Sequence, residues 1–161
     1  MNDTTGEQTV SQGPEKEIPL PGLILRLSRE QAALYERHFG MSQSRLSLLR
    51  ELGWAGEISQ IELAHRLGME PTLVTRFVKQ MEACNLVTRR TDPHDNRFTL
   101  VTLAPAGQQM VQRMKDFTHT LEAQLIEGLS VEEVANIKQR LTQFREKYEQ
   151  FVKNMEHEAD L

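Results

Sequence analysis

The chain holds one cysteine and only 6% aromatic residues in 161. A lone thiol cannot build an internal disulfide framework, and it leaves no cysteine pair for a metal site. Long apolar runs are missing as well. No stretch approaches the ~18 residues that a membrane span needs, and the N-terminus has no apolar signal-peptide core. A cytoplasmic protein without membrane attachment is expected. Catalytic constellations are equally scarce: there is no Ser-His-Asp order, no paired-acid motif and no glycine-rich phosphate loop. Asp92 and Asp95 form a carboxylate pair, but on a loop rather than in a pocket. His38, His65, His94, His119 and His157 are dispersed, with no ligand spacing on one helix. The expectation is a protein that is not an enzyme and carries neither metal nor cofactor.

An overall basic charge is also absent, since the chain is formally −4 at pH 7. Its distribution is informative. Residues 1–21 and 101–161 each carry a net −3, whereas 22–41 and 42–100 each carry +1. The acid excess lies at the ends, and the middle can present a basic face.

The length and a hydrophobic content of 39% suit one domain, or one domain with an extension. Residues 1–18, MNDTTGEQTVSQGPEKEI, are poor in apolar side chains and read as a disordered tail. Leu23, Ile24, Leu27 and Leu34 then recur at helical spacing. A second helix follows Ser42 as its cap, with Leu46, Leu49 and Leu52 on one side and Gly53 as its stop. In EISQIELAHRLGMEPTLVTRFVKQMEACN, Ser59 and Glu62 form a capping box, with Ile58 and Leu63 as its staple. That short helix stops at Gly68, and Pro71 opens the next. Two helices a few residues apart have the spacing of a helix-turn-helix.

On a wheel of ~100° per residue, Val74, Phe77, Val78, Met81 and Cys84 gather on one side of that next helix. Thr72, Thr75, Arg76, Lys79 and Gln80 gather on the other. The outer face carries hydroxyls, an amide and two cations with no acid among them, which are side chains able to meet phosphates and base edges. An ordinary solvated helix face is the competing reading. After Asn85, which tolerates a left-handed cap, LVTRR, TDPHDN and RFTLVTL read as strand, loop and strand. The pattern leaves open which face of the return strand is buried, because Phe98 and Leu100 alternate with Val101 and Leu103. Two long helices close the chain. Met110, Met114, Phe117, Leu121 and Leu125 stripe the first, and Gly128 breaks it. Ser130 and Glu133 cap the second, where Val134, Ile137, Leu141, Phe144, Tyr148, Phe151 and Met155 form a heptad seam suited to another chain.

The order of helix, polar-faced helix, Leu-Val-x-Arg-Arg, Asp-Pro-x-Asp-x-Arg and Leu-x-Pro-Ala-Gly resembles the MarR family of bacterial transcription regulators over residues 22 to about 155. The resemblance implies a mainly α fold, a winged helix-turn-helix with a small β-hairpin wing and a helical dimerisation region. It divides the chain into the tail (1–18), a first helix in the dimerisation region (19–41), the DNA-binding domain (42–103) and the C-terminal dimerisation helices (104–161). It further implies a homodimer on double-stranded DNA, a repressor on a pseudo-palindromic operator, released by a small-molecule effector that is often aromatic or phenolic. Thr72, Thr75, Arg76, Lys79 and Gln80 would face the major groove. In the wing, Asp95 would orient Arg97 into the minor groove. Of Arg89 and Arg90, one is expected to pair internally and the other to touch phosphate. Arg45, Ser59 and Gln60 are candidate DNA-backbone contacts.

For the effector the sequence offers Arg26, Tyr35, His38 and Trp54 without deciding among them. Three positions depart from the family pattern: Asn85 where relatives have Gly, Asn96 in place of a wing cation, and Ala104 in place of a capping Thr. Cys84 reads as a buried structural thiol. A redox-responsive repressor using Cys84, and a winged helix that contacts protein instead of DNA, are the alternatives.

Overall fold

The computed structural model describes residues 18–159, so the tail expected over 1–18 lies, but for Ile18, outside the described residues. Six helices and three short strands follow in the order α1 (Leu20–Phe39), α2 (Gln43–Ala55), β1 (Ile58–Ser59), α3 (Gln60–Leu67), α4 (Pro71–Ala83), β2 (Val87–Thr91), β3 (Thr99–Leu103), α5 (Pro105–Leu125) and α6 (Val131–Ala159). The chain divides into two compact units, one ending at Val111 and the other beginning at Gln112.

The first unit is a winged helix. Its core is the apolar stripe of α4, Val74, Val78 and Met81, packed with Leu48, Leu49, Leu52, Leu63, Val87 and Val101. Each of these side chains is at most 2% exposed. Burial of one such residue is worth about 1.5–3 kcal/mol, so this stripe fixes the rotation of α4 and with it the direction of its polar side. Cys84 departs from the expected pattern. The helix ends at Ala83, the Cys84 N–H turns back to the Met81 carbonyl at 3.2 Å, and the thiol is exposed, not buried. Asn85 takes the left-handed conformation at φ 56°.

Three local expectations are revised. Gly53 does not end α2, which continues to Ala55 and is capped by Gly56 at φ 72°. Gly53 is instead a packing residue, because a Cβ there would sit 3.0 Å from Val111 Cγ1. Ser42 occupies the cap position of α2 but makes no side-chain cap bond. The exposed Gln43 N–H donates to Glu36 Oε1 of α1 at 2.8 Å, so the first turn is capped from the neighbouring helix. At α3, Ser59 Oγ accepts from the Glu62 N–H at 3.1 Å, but the Glu62 carboxylate turns to Arg66, leaving half a capping box.

The sheet has three strands in the order β1-β3-β2, all antiparallel. The hairpin register pairs Val87 with Leu103 and Arg89 with Val101, and the added strand pairs Ile58 with Val101. Val101 is fully buried and Leu103 packs on the core, which decides the face of the return strand. At the root of the wing, the Ala104 N–H donates to the Leu86 carbonyl at 3.0 Å. A Cβ on Gly107, one turn into α5, would fall 2.0 Å from that same carbonyl oxygen. Only glycine permits this approach.

The second unit contains the remainder of α5 and all of α6. Gly128 adopts φ 82° in the connection. Ser130 and Glu133 form a complete reciprocal cap, with the Ser130 N–H to Glu133 Oε2 at 2.7 Å and the Glu133 N–H to Ser130 Oγ at 3.2 Å. Lys138 Nζ meets Glu122 Oε1 at 2.7 Å. Along α6, Ile137, Leu141, Tyr148, Phe151 and Met155 are each 48–60% exposed. No helix among the described residues is long and apolar enough to cross a membrane.

Replacing Gly107 by Ala should destabilise the first unit by about 3 kcal/mol, the upper end of overpacking costs, since the obstacle is backbone. Gly53→Ala, which meets only a side-chain methyl, should cost much less. Urea unfolding of both variants checks the order; equal midpoints would remove the close approach from the account.

Candidate nucleic-acid interface

With the apolar stripe of α4 turned inward, Thr72, Arg76, Lys79 and Gln80 are exposed and Thr75 is half-buried. The helix is joined to α3 by the Thr75 hydroxyl, which lies 3.0 Å from Gln60 Oε1. It is joined to α2 by Arg45 Nη2, which donates to Gln80 Oε1 at 2.5 Å. Of the three candidate backbone contacts, Ser59 is thus occupied as a cap, and Gln60 and Arg45 as links between helices.

The wing loop is shaped by its two aspartates. Asp92 Oδ1 accepts from the His94 N–H at 2.8 Å and Asp95 Oδ1 from the Arg97 N–H at 3.0 Å, both local Asx turns. Asp95 also takes the Arg97 guanidinium in a fork, Nε to Oδ1 at 3.0 Å and Nη2 to Oδ2 at 2.6 Å. Direct hydrogen bonding from Arg97 holds the Asp95 carboxyl below its ordinary range and raises the guanidinium further above its own. The Arg97 side chain is nevertheless 85% exposed. An exposed pair of this kind adds little stability; its effect is to present a charged fork in one orientation. Between α4 and the wing lies a concavity of about 250 Å³. Gln60, Pro71 and Thr75 line it on the helical side, and Arg97, Phe98 and Thr99 on the other.

Arg89 and Arg90 are both engaged. Successive strand residues point to opposite faces, so the two arginines reach different elements. Arg89 Nε donates to Glu82 Oε2 at 2.8 Å, with Nη2 on the same oxygen, tying β2 to the end of α4. Arg90 forks onto Glu57, Nε to Oε1 at 2.8 Å and Nη2 to Oε2 at 2.5 Å, tying β2 to the residue before β1. The Arg90 side chain remains 53% exposed in its pair, and that of Arg89 27%. Glu57 and Glu82 were missed in the sequence because seven or more residues separate each from its arginine. The signal that could have found them is a carboxylate at the end of an element that must meet β2.

The effector candidates are scattered. Tyr35 lines a polar cavity of about 290 Å³ between α1 and α2, with Ser28, Gln31, Ala32, Gln43 and Arg50. Arg26 pairs with Glu30 at 3.0 Å, His38 packs edge-on to Phe39, and Trp54 is 73% exposed. No cluster of His, Cys, Asp and Glu among the described residues could hold a metal ion.

Residues 41–99, from the last turn before α2 to the start of β3, match the sequence profile of the MarR family. Over 99 residues the chain is 38% identical to the uncharacterized HTH-type transcriptional regulator YdgJ of Bacillus subtilis, an alignment covering 62% of this chain and 60% of the relative. Residues 41–99 of the chain carry the MarR-family pattern. Its fold is shared with solved winged-helix structures at low identity. Streptococcus pneumoniae FabT in complex with DNA superposes with a TM-score of 0.73 at 17% identity, over 82% of this chain and 96% of that one. Bordetella bronchiseptica BpsR, whose DNA binding is regulated by 6-hydroxynicotinic acid, gives 0.63 at 22% identity, over 78% and 98%.

In this wing, direct hydrogen bonds from Arg90 and Arg89 hold Glu57 and Glu82 below the ordinary carboxylate value of 4.5. A lowered acid contributes stability that is present above its unfolded value and lost as the pH falls toward its folded one. The root of the hairpin should accordingly loosen below pH 4.5. Amide exchange of Val87–Thr91, corrected for intrinsic rates, should accelerate there. Glu57→Gln with Glu82→Gln should flatten that dependence; an unchanged profile would show that the pairs do not hold the strand.

Proposed function

We propose that this chain is a homodimeric, sequence-specific DNA-binding transcription regulator, a repressor that occupies a pseudo-palindromic operator and leaves it when a small aromatic or phenolic ligand binds. The observation that carries this reading is the joint surface of α4 and the wing. Thr75 lines one side of a concavity and the Asp95-oriented Arg97 the other, while Thr72, Arg76, Lys79 and Gln80 are exposed along the same helix. A helix with hydroxyls, an amide and cations suits the major groove, and a planar guanidinium suits the adjacent narrow, negative minor groove. Arg89 and Arg90, neutralised by Glu82 and Glu57, serve to root the wing. The complex of FabT with DNA supports the assignment.

Dimerisation is favoured by the α6 seam, an apolar row too exposed for a chain that works alone. For the ligand, the cavity at Tyr35 offers Arg50 to a carboxylate or phenolate, and Gln43 Oε1 there is buried without a partner among the described residues. The regulation of BpsR by an aromatic acid agrees with such a ligand. A redox-responsive form of the same repressor is the second reading, favoured by the exposure of Cys84 beside the end of α4.

Arg97→Ala should weaken operator binding by at least about tenfold, the scale of one lost groove contact, while leaving the dimer intact. Arg76→Glu with Lys79→Glu should abolish binding, and affinity should fall steeply with salt. Gel shifts at matched ionic strength check all three. A protein-interaction module would keep its activity in the double variant. Leu141→Glu with Tyr148→Glu should convert the dimer to monomers of unchanged helicity by sedimentation and circular dichroism; a persisting dimer would move the interface elsewhere.

A further inference from the structure

The amide of Gln80 is not free to read a base in either orientation. Arg45 Nη2 lies 2.5 Å from Gln80 Oε1, and arginine has only donors to offer. The reverse orientation would set the Gln80 NH2 against a guanidinium, donor against donor. The oxygen therefore faces α2, and the NH2 is left as the outward group of an exposed side chain. Arg45 is itself held in place. Its guanidinium carbon stands 5.5 Å from the centre of the Phe77 ring, and Arg76 stands 5.6 Å from the same ring. Its Nε is buried without a partner among the described residues, so the half-buried side chain retains this position at some cost.

We infer that Arg45 sets base specificity through Gln80: by occupying the amide oxygen it commits this turn of α4 to base edges that accept hydrogen bonds, guanine above all. The assignment rests on the reading that α4 enters the major groove. An unrestrained glutamine suits adenine, using its oxygen for the N6 amino group and its nitrogen for N7. With the oxygen engaged, the NH2 meets two neighbouring acceptors on guanine, N7 and O6, but meets a competing donor on adenine. Arg76 and Lys79, on the same exposed face, are also donors without acceptors. This stretch of the helix thus offers donors only. Arg45 acts here as a positioning residue that need not touch DNA.

The test begins with selection of bound duplexes from a random pool by the unmodified full-length protein. Every base pair of the enriched site is then varied against five proteins: unmodified, Arg45→Met, Gln80→Ala, the double variant of these two, and Gln80→Glu. Methionine keeps an unbranched stem over Phe77 while removing the donors. In the unmodified protein, one guanine per half-site should lose about tenfold in affinity on replacement by adenine, the scale of one base contact. Arg45→Met should reduce that penalty to about twofold or less at that position alone, and should change nothing further once Gln80 is alanine. Gln80→Glu, at an exposed position, keeps Arg45 engaged but presents only acceptors, and should move the preference at that position from guanine to cytosine. The inference is overturned if Arg45→Met weakens every duplex by one common factor, or if its effect on preference persists without Gln80. If the unmodified protein enriches no duplex at all, the functional reading falls, and this assignment falls with it.

Discussion

The orientation of α4 depends on one apolar contact, the burial of Val74, Val78 and Met81 against Leu63, Val87 and Val101. These side chains come from α3, from α4 and from both strands of the wing. A single cluster therefore fixes the turn between the two helices, the rotation of α4 and the seat of the hairpin. The polar side opposite it adds two links, Thr75 to Gln60 of α3 and Gln80 to Arg45 of α2. The wing could not carry Arg97 toward the same concavity as Thr75 if the core did not hold β2 and β3 against α4.

Upon that frame, carboxylates decide what each arginine does. Glu82 and Glu57 take Arg89 and Arg90 into structural pairs, while Asp95 takes Arg97 without covering it. The exposed face of α4 holds no acid, and the one acid near its end, Glu82, is matched by Arg89. A chain with a net charge of −4 thus shows a local cationic surface by placement, and overall charge is a poor guide to it.

Much of this was legible in the residue pattern, and the exceptions share a cause. The stripe of α4 and the caps of Gly68 and Asn85 follow from spacings of four residues or fewer, within reach of local geometry, and the Asp95–Arg97 pair was implied by the family resemblance. The MarR-like order of motifs supplied the fold. Interactions across the chain were not legible. Glu36 caps α2 in place of Ser42, Arg90 finds Glu57 33 residues away, and Arg45 finds Gln80 35 residues away. A two-residue strand such as β1 carries no periodicity, and only its partner Val101 defines it. Gly53 looked like a stop because a glycine needed for packing resembles one needed for a turn. Cys84 followed the wheel one residue beyond the end of the helix.

The approach of Gly107 to the Leu86 carbonyl joins α5 directly to the base of the wing. Side-chain contacts have compliance, because rotamers can yield before a backbone does. Here backbone meets backbone, reinforced by the hydrogen bond from Ala104 to the same oxygen, so the joint has almost no slack. A tilt of the first turn of α5 would be passed to the hairpin as a lever passes motion through a stiff pivot, rather than being absorbed at the junction.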